Sequence, residues 1–216
     1  MNKNSLCLHI GCGLIIGNSW KNIDISPSLK ISKIPLIGQP LVRLVGAPQW
    51  SRNVECQDIV KGLSIKPNSC DLIYASHVLE HLSLYDFHQA MENIVTYLKP
   101  GGIFRTIVPD LEQYINAYIH KQKNSQLVSQ AAPNFIKAIG MGEQQHRNSI
   151  IQRLKTAFAN NRHQWMWDEG SLAEAFQEHG FKNIRRCQYG HFLDARFAEI
   201  EQPKSFVNAV GIEGMA

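Results

Sequence analysis

The segment LCLHIGCGLIIGNSWKNID, residues 6–24, decides how the rest of the chain is read. Leu6, Leu8 and Ile10 alternate with Cys7 and His9, which is the period of a strand, and Gly11-Cys12-Gly13 interrupts it. Glycine has no Cβ, so the chain can turn tightly there and let a ligand approach the backbone. A second short strand, Lys21 to Ile25, carries Asp24 at its carboxyl end. A carboxylate in that place can accept the hydroxyl protons of a ribose. Gly13 and Asp24 are closer than the roughly 20 residues of a dinucleotide fingerprint, and Ile16 stands where a third glycine would fall. The connection leaves a very short helix or none, and therefore no assured helix N-terminus for a pyrophosphate. The pattern favours a nucleoside-bearing cofactor without a diphosphate.

Downstream, residues 26–52 hold Pro27, Pro35, Pro40 and Pro48 among Ile, Leu and Val, which predicts an irregular excursion rather than a central strand. Its apolar side chains need cover from a neighbouring loop, a second subunit or a membrane surface. Asn53 to Gln57 reads as a third strand ending at Asp58. Cys70 to Ser76 reads as a buried strand, and Ser83 with Asp86 starts a helix after it. Leu84, Phe87, Met91, Ile94, Val95 and Leu98 share one face of that helix, and Pro100-Gly101-Gly102 ends it. With Ile103 to Val108 as the next strand, this makes a parallel crossover unit. From about 110 to 162 the pattern is helical but irregular, as expected for a lid over a site at the strands' carboxyl ends. Within it, Leu111, Tyr114, Ile115, Tyr118 and Ile119 mark one helix, and Ile150, Ile151, Leu154 and Phe158 mark another. Ser171 and Glu174 read as a capping box for a last helix, with Gly180 at its end. Asn183 to Tyr189 and Ser205 to Val210 read as two closing strands. The expected architecture is α/β: a Rossmann-like, mainly parallel sheet with helices on both faces, a helical lid insertion and a C-terminal β-hairpin.

Composition places the chain among single domains, spanning 1–216, with an ordinary hydrophobic content of 44% and no sign of disorder. The formal net charge of +4 comes without a Lys/Arg block, so no nucleic-acid partner is expected. The densest basic stretch runs from Arg147 to Arg162. Five scattered cysteines lack CxxC spacing, which argues for a reducing compartment and against a zinc ribbon. Residues 31–47 are apolar but broken by Lys33, Pro35, Gln39, Pro40 and Arg43, so they cannot span a bilayer. A cytoplasmic location is expected, with a homo-oligomer as one possible state.

Taken together, LHIGCG, NIDIS, QDI, CDLIYASHVLEHL, YLKPGGIFRTIVPDL and EHGF resemble the class I S-adenosylmethionine-dependent methyltransferases, in the family's order and over nearly the whole chain. The resemblance implies S-adenosyl-L-methionine as cofactor. Gly11 and Gly13 would pass close to its amino-acid and ribose portions, and Asp24 would hold the ribose hydroxyls. Asp58 and the Ile59 backbone would approach the adenine edge, and Ser76 and His77 would sit by the methionine part. The shortened connection and Cys12 between the glycines depart from the family pattern. No DPPY-like or NPPY-like sequence and no Pro-Cys pair follows the fourth strand. That argues against DNA acceptors and leaves a small-molecule, sugar or lipid-linked acceptor, methylated at oxygen or nitrogen.

His77 and His163 are the candidate catalytic residues. His163 precedes the last helix beside Trp165 and Trp167, and a lid folded over the sheet would let it act as general base. Two other readings compete. His77-Val78-Leu79-Glu80-His81 matches HxxEH, in which two histidines on one helical face bind zinc and a glutamate acts as base. No third ligand is recognisable in the sequence, so no metal site is expected, and Glu80 and His81 are expected to serve the turn into the helix. The other reading is a non-catalytic cofactor-binding or scaffold protein of the same fold, which the short glycine connection keeps in view.

Overall fold

The computed structural model describes residues 5–44, 46–141 and 162–216. Seven strands form one sheet in the order β3-β2-β1-β4-β5-β7-β6. They are β1 (Leu6–Ile10), β2 (Trp20–Asp24), β3 (Val54–Cys56), β4 (Cys70–Ser76), β5 (Leu98–Pro109), β6 (Lys182–Cys187) and β7 (Ala209–Met215). The pairings from β3 through β5 are parallel, whereas β7 runs antiparallel to both β5 and β6. The mainly parallel sheet and the antiparallel C-terminal hairpin match the sequence expectation.

Alternation along the strands divides the core into two layers. Leu8, Ile73, Ala75, Phe104, Val108, Val210 and Ile212 face one way, against Phe87, Met91 and Ile94 of α3 (Leu84–Tyr97) and Leu172 and Phe176 of α6 (Glu169–Glu178). Their neighbours Cys7, Leu72, Tyr74, Ile103 and Ile107 face the other way. That second layer is closed by Trp20 of β2, by Phe197 on a short 3-10 turn at Ala195–Glu199 with Ile200 just after it, and by Phe206 on a second turn at Pro203–Phe206.

Several boundaries differ from the sequence reading. The excursion at 26–52 is partly helical, with α1 (Pro27–Ser32) and α2 (Gly38–Leu44). Proline is tolerated here because Pro27 opens α1 and Pro40 lies in the first turn of α2, where the backbone N–H has no intrahelical acceptor. The last strand begins at Ala209, not Ser205, and Ser205 lies in a 3-10 turn. Gly211 and Gly214 obscure this strand in the sequence. Both are small because a Cβ would come within 2.7 Å of Cys187 Sγ at the first and 3.1 Å of Phe176 at the second. The cap of α6 is Asp168, which accepts from the Ser171 N–H at 2.8 Å while Ser171 Oγ reaches back, so the box sits three residues earlier than expected. Ser83 caps α3 as expected, accepting from the Asp86 N–H at 3.1 Å.

In the insertion, α4 (Leu111–Gln122) starts at the capping residue Asp110 and buries none of its residues. It packs instead on α5 (Val128–Ala138), with Tyr118 and Phe135 ring centroids 5.5 Å apart. The helix expected through Ile150, Ile151, Leu154 and Phe158, with Arg147 and the rest of the basic stretch up to position 161, lies outside the described residues.

Candidate active site

The carboxyl ends of β1, β2, β3 and β4 come together at one edge of the sheet because these strands are parallel and adjacent. Gly11 and Gly13 both adopt positive φ, +60° and +55°, where a side chain would be strained. The space around them differs. A Cβ on Gly11 would run into the Val78 side chain, so the close approach there is between the loop and the chain that follows β4. A Cβ on Gly13 would meet nothing within 4 Å, which leaves room for a ligand on that side.

Asp24 is 7% exposed and already organises the loop. One carboxylate oxygen accepts from the Gly13 N–H at 3.0 Å, and the other accepts from the Ser26 N–H at 2.7 Å. The Gln57 N–H donates to the Asp24 carbonyl at 3.2 Å, tying the ends of β2 and β3. Asp58 follows directly, with Oδ1 accepting from the Val60 N–H at 3.0 Å. The Ile59 side chain is buried in the core, and its carbonyl accepts from Asn93 Nδ2 at 2.7 Å. Gly13, Asp24 and Asp58 thus lie along one edge of the sheet.

Ser76 ends β4, and His77 extends the ladder by one bond, its N–H donating to the Ile107 carbonyl at 2.9 Å. His77 itself has φ +54°, uncommon for a residue with a side chain, and turns the chain out of the strand. Its ring is held at both nitrogens: Nδ1 lies 3.2 Å from Glu80 Oε1, and Nε2 lies 3.0 Å from the Ser205 carbonyl. Burial opposes a charge on this ring, but the Glu80 hydrogen bond and charge, with the Ser205 carbonyl, outweigh it and raise the His77 pKa.

The residue that sequence reasoning underrated is Glu80. Its side chain is completely buried, and Oε2 has no hydrogen-bond partner. Its backbone carbonyl accepts from the Gln164 N–H at 2.7 Å, which docks the segment carrying His163 onto the turn after β4. His81 reinforces the contact, with Nδ1 donating to the Arg162 carbonyl at 3.2 Å and its own carbonyl accepting from Gln164 Nε2 at 2.6 Å. The His81 and His163 rings meet edge to face at 5.2 Å. Burial first, and then the nearby His81 and His77, lower the His163 pKa against the pull of Glu80 and a backbone bond at Ile139. The two histidines proposed from sequence therefore gather around one buried carboxylate, with opposite protonation tendencies.

Among the described residues, Glu80, His81 and His163 could hold a metal ion, each offering one ligand atom within 4.8 Å of the others. The third group that the sequence did not disclose is thus His163. The HxxEH reading fails on geometry. Only Leu79–His81 is helical, as a 3-10 turn, and His77 lies outside it, so His77 and His81 do not share a helical face. Of the two indoles, Trp167 is a buried anchor, its ring 4.4 Å from that of Phe87, while Trp165 is exposed beside it.

A family model described as a methyltransferase domain matches residues 18–186, a span that includes Asp24, Asp58, Ser76, His77 and His163. No curated protein matches the chain by sequence. Among solved structures, an S-adenosylmethionine-dependent methyltransferase from Archaeoglobus fulgidus is similar with a TM-score of 0.51 at 13% identity, covering 99% of this chain and 87% of that one. A chain from the complex of the Haloferax volcanii Trm112 methyltransferase activator with a methyltransferase gives a TM-score of 0.50 at 15% identity, covering 100% and 83%. At such identities the likeness is one of fold.

Proposed function

We propose that this chain, which belongs to the methyltransferase domain family, carries a methyl group from S-adenosyl-L-methionine to an oxygen or nitrogen of a small-molecule, sugar or lipid-linked acceptor. The observation that carries this reading is the pairing of open space at Gly13 with the buried Asp24 carboxylate on the same loop. Each Asp24 oxygen accepts one backbone N–H and keeps a further lone pair for a ribose hydroxyl. Asp58 and the Ile59 backbone border the neighbouring place for a base, and Ser76 lies beside the loop at the end of β4.

S-adenosylmethionine, when bound, supplies the methyl group and leaves as a neutral thioether. The acceptor's lone pair forms the new bond to the methyl carbon as the carbon–sulfur bond breaks, and a hydroxyl or ammonium acceptor must lose a proton. His77 is poorly suited to take it, because both ring nitrogens are already engaged. Its role is to position the turn after β4. His163 fits the base role better, because its pKa is lowered and the ring is therefore neutral at neutral pH. Proximity and exclusion of water supply most of the remaining assistance for such a displacement.

The test is calorimetric titration of the full chain with S-adenosylhomocysteine, followed by transfer of a labelled methyl group to metabolite and lipid extracts. Replacing His163 with Ala should leave cofactor affinity intact and slow transfer by roughly 10²- to 10⁴-fold. Absence of any binding heat would favour the scaffold alternative. Unchanged transfer by His163→Ala would remove His163 from the chemistry.

A further inference from the structure

We propose that the α1–α2 hairpin is a docking surface for an anionic lipid bilayer. Three independent features of residues 25–54 point to it. The first is charge. This stretch contains Lys30, Lys33, Arg43 and Arg52 and no acidic residue. The chain has 22 basic and 18 acidic residues in total, so the remainder holds 18 of each, and the entire formal net charge of +4 resides here. All four cations are exposed, and among the described residues no salt bridge to any of them is found.

The second feature is the apolar surface between those cations. Leu36 is 96% exposed and Leu44 83%, with Ile34, Ile37 and Leu41 also exposed. Leu36 sits at the link between the helices with φ +67°, a conformation that glycine or asparagine would adopt more readily. A fully exposed leucine held in a strained backbone is poorly explained by folding alone. A projecting apolar knob ringed by lysine and arginine is the pattern of elements that lie in a membrane interface, their apolar side chains below the headgroups and their cations among them. Among the described residues no helix is long and apolar enough to cross a membrane.

The third feature is how firmly the element is mounted. Leu29 and Val42 are buried, and Trp50 Nε1 donates to Ser28 Oγ at 3.0 Å. The helices touch so closely at Gly38 that a Cβ there would collide with the Ile31 carbonyl. Beneath them, Leu29, Trp50 and Val54 pack on Cys12, the residue between Gly11 and Gly13. The outward apolar face is therefore a built surface on a packed base, and its first helix begins three residues after Asp24. Docked this way, the protein would present the cofactor edge close to the bilayer, where a lipid-linked acceptor resides. The inference stands on charge and exposure and holds whether or not the acceptor is a lipid.

The experiment is co-sedimentation of the full chain with vesicles of phosphatidylcholine alone or with about a third phosphatidylglycerol. Binding to the anionic vesicles should be at least roughly 10-fold tighter and should weaken as salt is raised. Replacing Leu36 and Leu44 together with Asp should abolish it, and Lys30→Glu with Arg43→Glu should reduce it by roughly 10-fold or more. All four positions are exposed, so thermal unfolding and S-adenosylhomocysteine affinity should stay as in the unaltered chain. The proposal is overturned by failure to bind anionic vesicles, by equal binding to both compositions, or by equal binding of the altered and unaltered proteins. It is also overturned if the Leu36 and Leu44 changes instead dissolve a homodimer of the free protein, since a second copy would then be the cover.

Discussion

Replacing Asp24 with Ala tests the centre of the cofactor reading, and the structure says what else the change will do. The carboxylate accepts the Gly13 N–H at 3.0 Å and the Ser26 N–H at 2.7 Å in a nearly buried place. Removing it leaves two backbone donors without their partner, at a cost of about 1–3 kcal/mol each. For a chain of this size, each kcal/mol lowers the melting temperature by roughly 2–4 °C. A fall of several degrees is therefore expected before any ligand is considered. Loss of charge-assisted bonds to the ribose adds a separate penalty on binding of about 1.5–3 kcal/mol, or roughly 10- to 150-fold in affinity. Asp24→Asn keeps the shape and one acceptor oxygen and should fall between the two. The assay is calorimetric titration with S-adenosylhomocysteine at a temperature where circular dichroism shows each variant folded. A folded Asp24→Ala protein binding within twofold of the unaltered chain would refute the ribose assignment.

His9 should govern the acid side of stability. Burial, acting against an Asn22 hydrogen bond and the Asp24 charge, lowers its pKa to about 4, below the 6.5 of an unfolded histidine. The unfolded chain therefore takes up a proton first as pH falls from about 6.5 to about 4, and stability should drop by roughly 3 kcal/mol across that window. Denaturant melts of His9→Phe against pH should show a shallower slope there. Arg105 is fully buried with Glu201 and Glu213, each bonded at 2.7 Å; Arg105→Met should cost about 3–5 kcal/mol, because it strands the buried Glu201 carboxylate and leaves Glu213 with Arg185 alone. Urea unfolding reads the loss, and a triple change that also converts both glutamates to Gln should recover much of it. Chelation should leave S-adenosylhomocysteine affinity unchanged, since Gly13, Asp24 and Asp58 lie outside the Glu80, His81 and His163 cluster. Affinity that falls on chelation and returns with zinc would link that cluster to the cofactor.

What could be read from the sequence follows from how local the causes are. The strand Cys70–Ser76, the Ser83 cap and the glycine loop with Asp24 are written within a few residues of one another, as alternation, capping chemistry and turn composition. The two helices in the proline-rich excursion were hidden because proline opposes helix only where an N–H is needed, and Pro27 and Pro40 occupy places where it is not. The strand Ala209–Met215 was hidden for another reason, since two glycines lower its apparent strand character while packing requires them. At the site, the positions of Asp24, Ser76 and His77 on strand ends were legible. The meeting of Glu80 with His163 was not, because it spans more than eighty residues and depends on the Gln164 N–H reaching the Glu80 carbonyl.

The short connection between β1 and β2 has its compensation on the second face of the sheet. The chain between β6 and β7 returns across that face, and Phe197 meets Trp20 at 5.6 Å and Tyr74 at 6.0 Å between ring centroids. The end of the same turn grips the loop itself: Glu199 accepts from the Asn18 and Ser19 N–H groups, and a Cβ on Gly17 would lie 2.7 Å from Ile200. Arg105 fastens the returning segment from beneath, donating to Glu201 at 2.7 Å, to the Gln188 carbonyl at 2.9 Å and to the His191 carbonyl at 3.2 Å, with Phe192, Phe197 and Phe206 around its guanidinium. A buried cation surrounded by rings and carbonyls specifies one position for the segment, where apolar contact alone would allow it to slide. The glycine loop is thereby held between two supports, the α1–α2 base under Cys12 and the Arg105-fixed segment beside residues 17–19. That bracing lets a loop without a following helix keep Gly13 open and Asp24 in place.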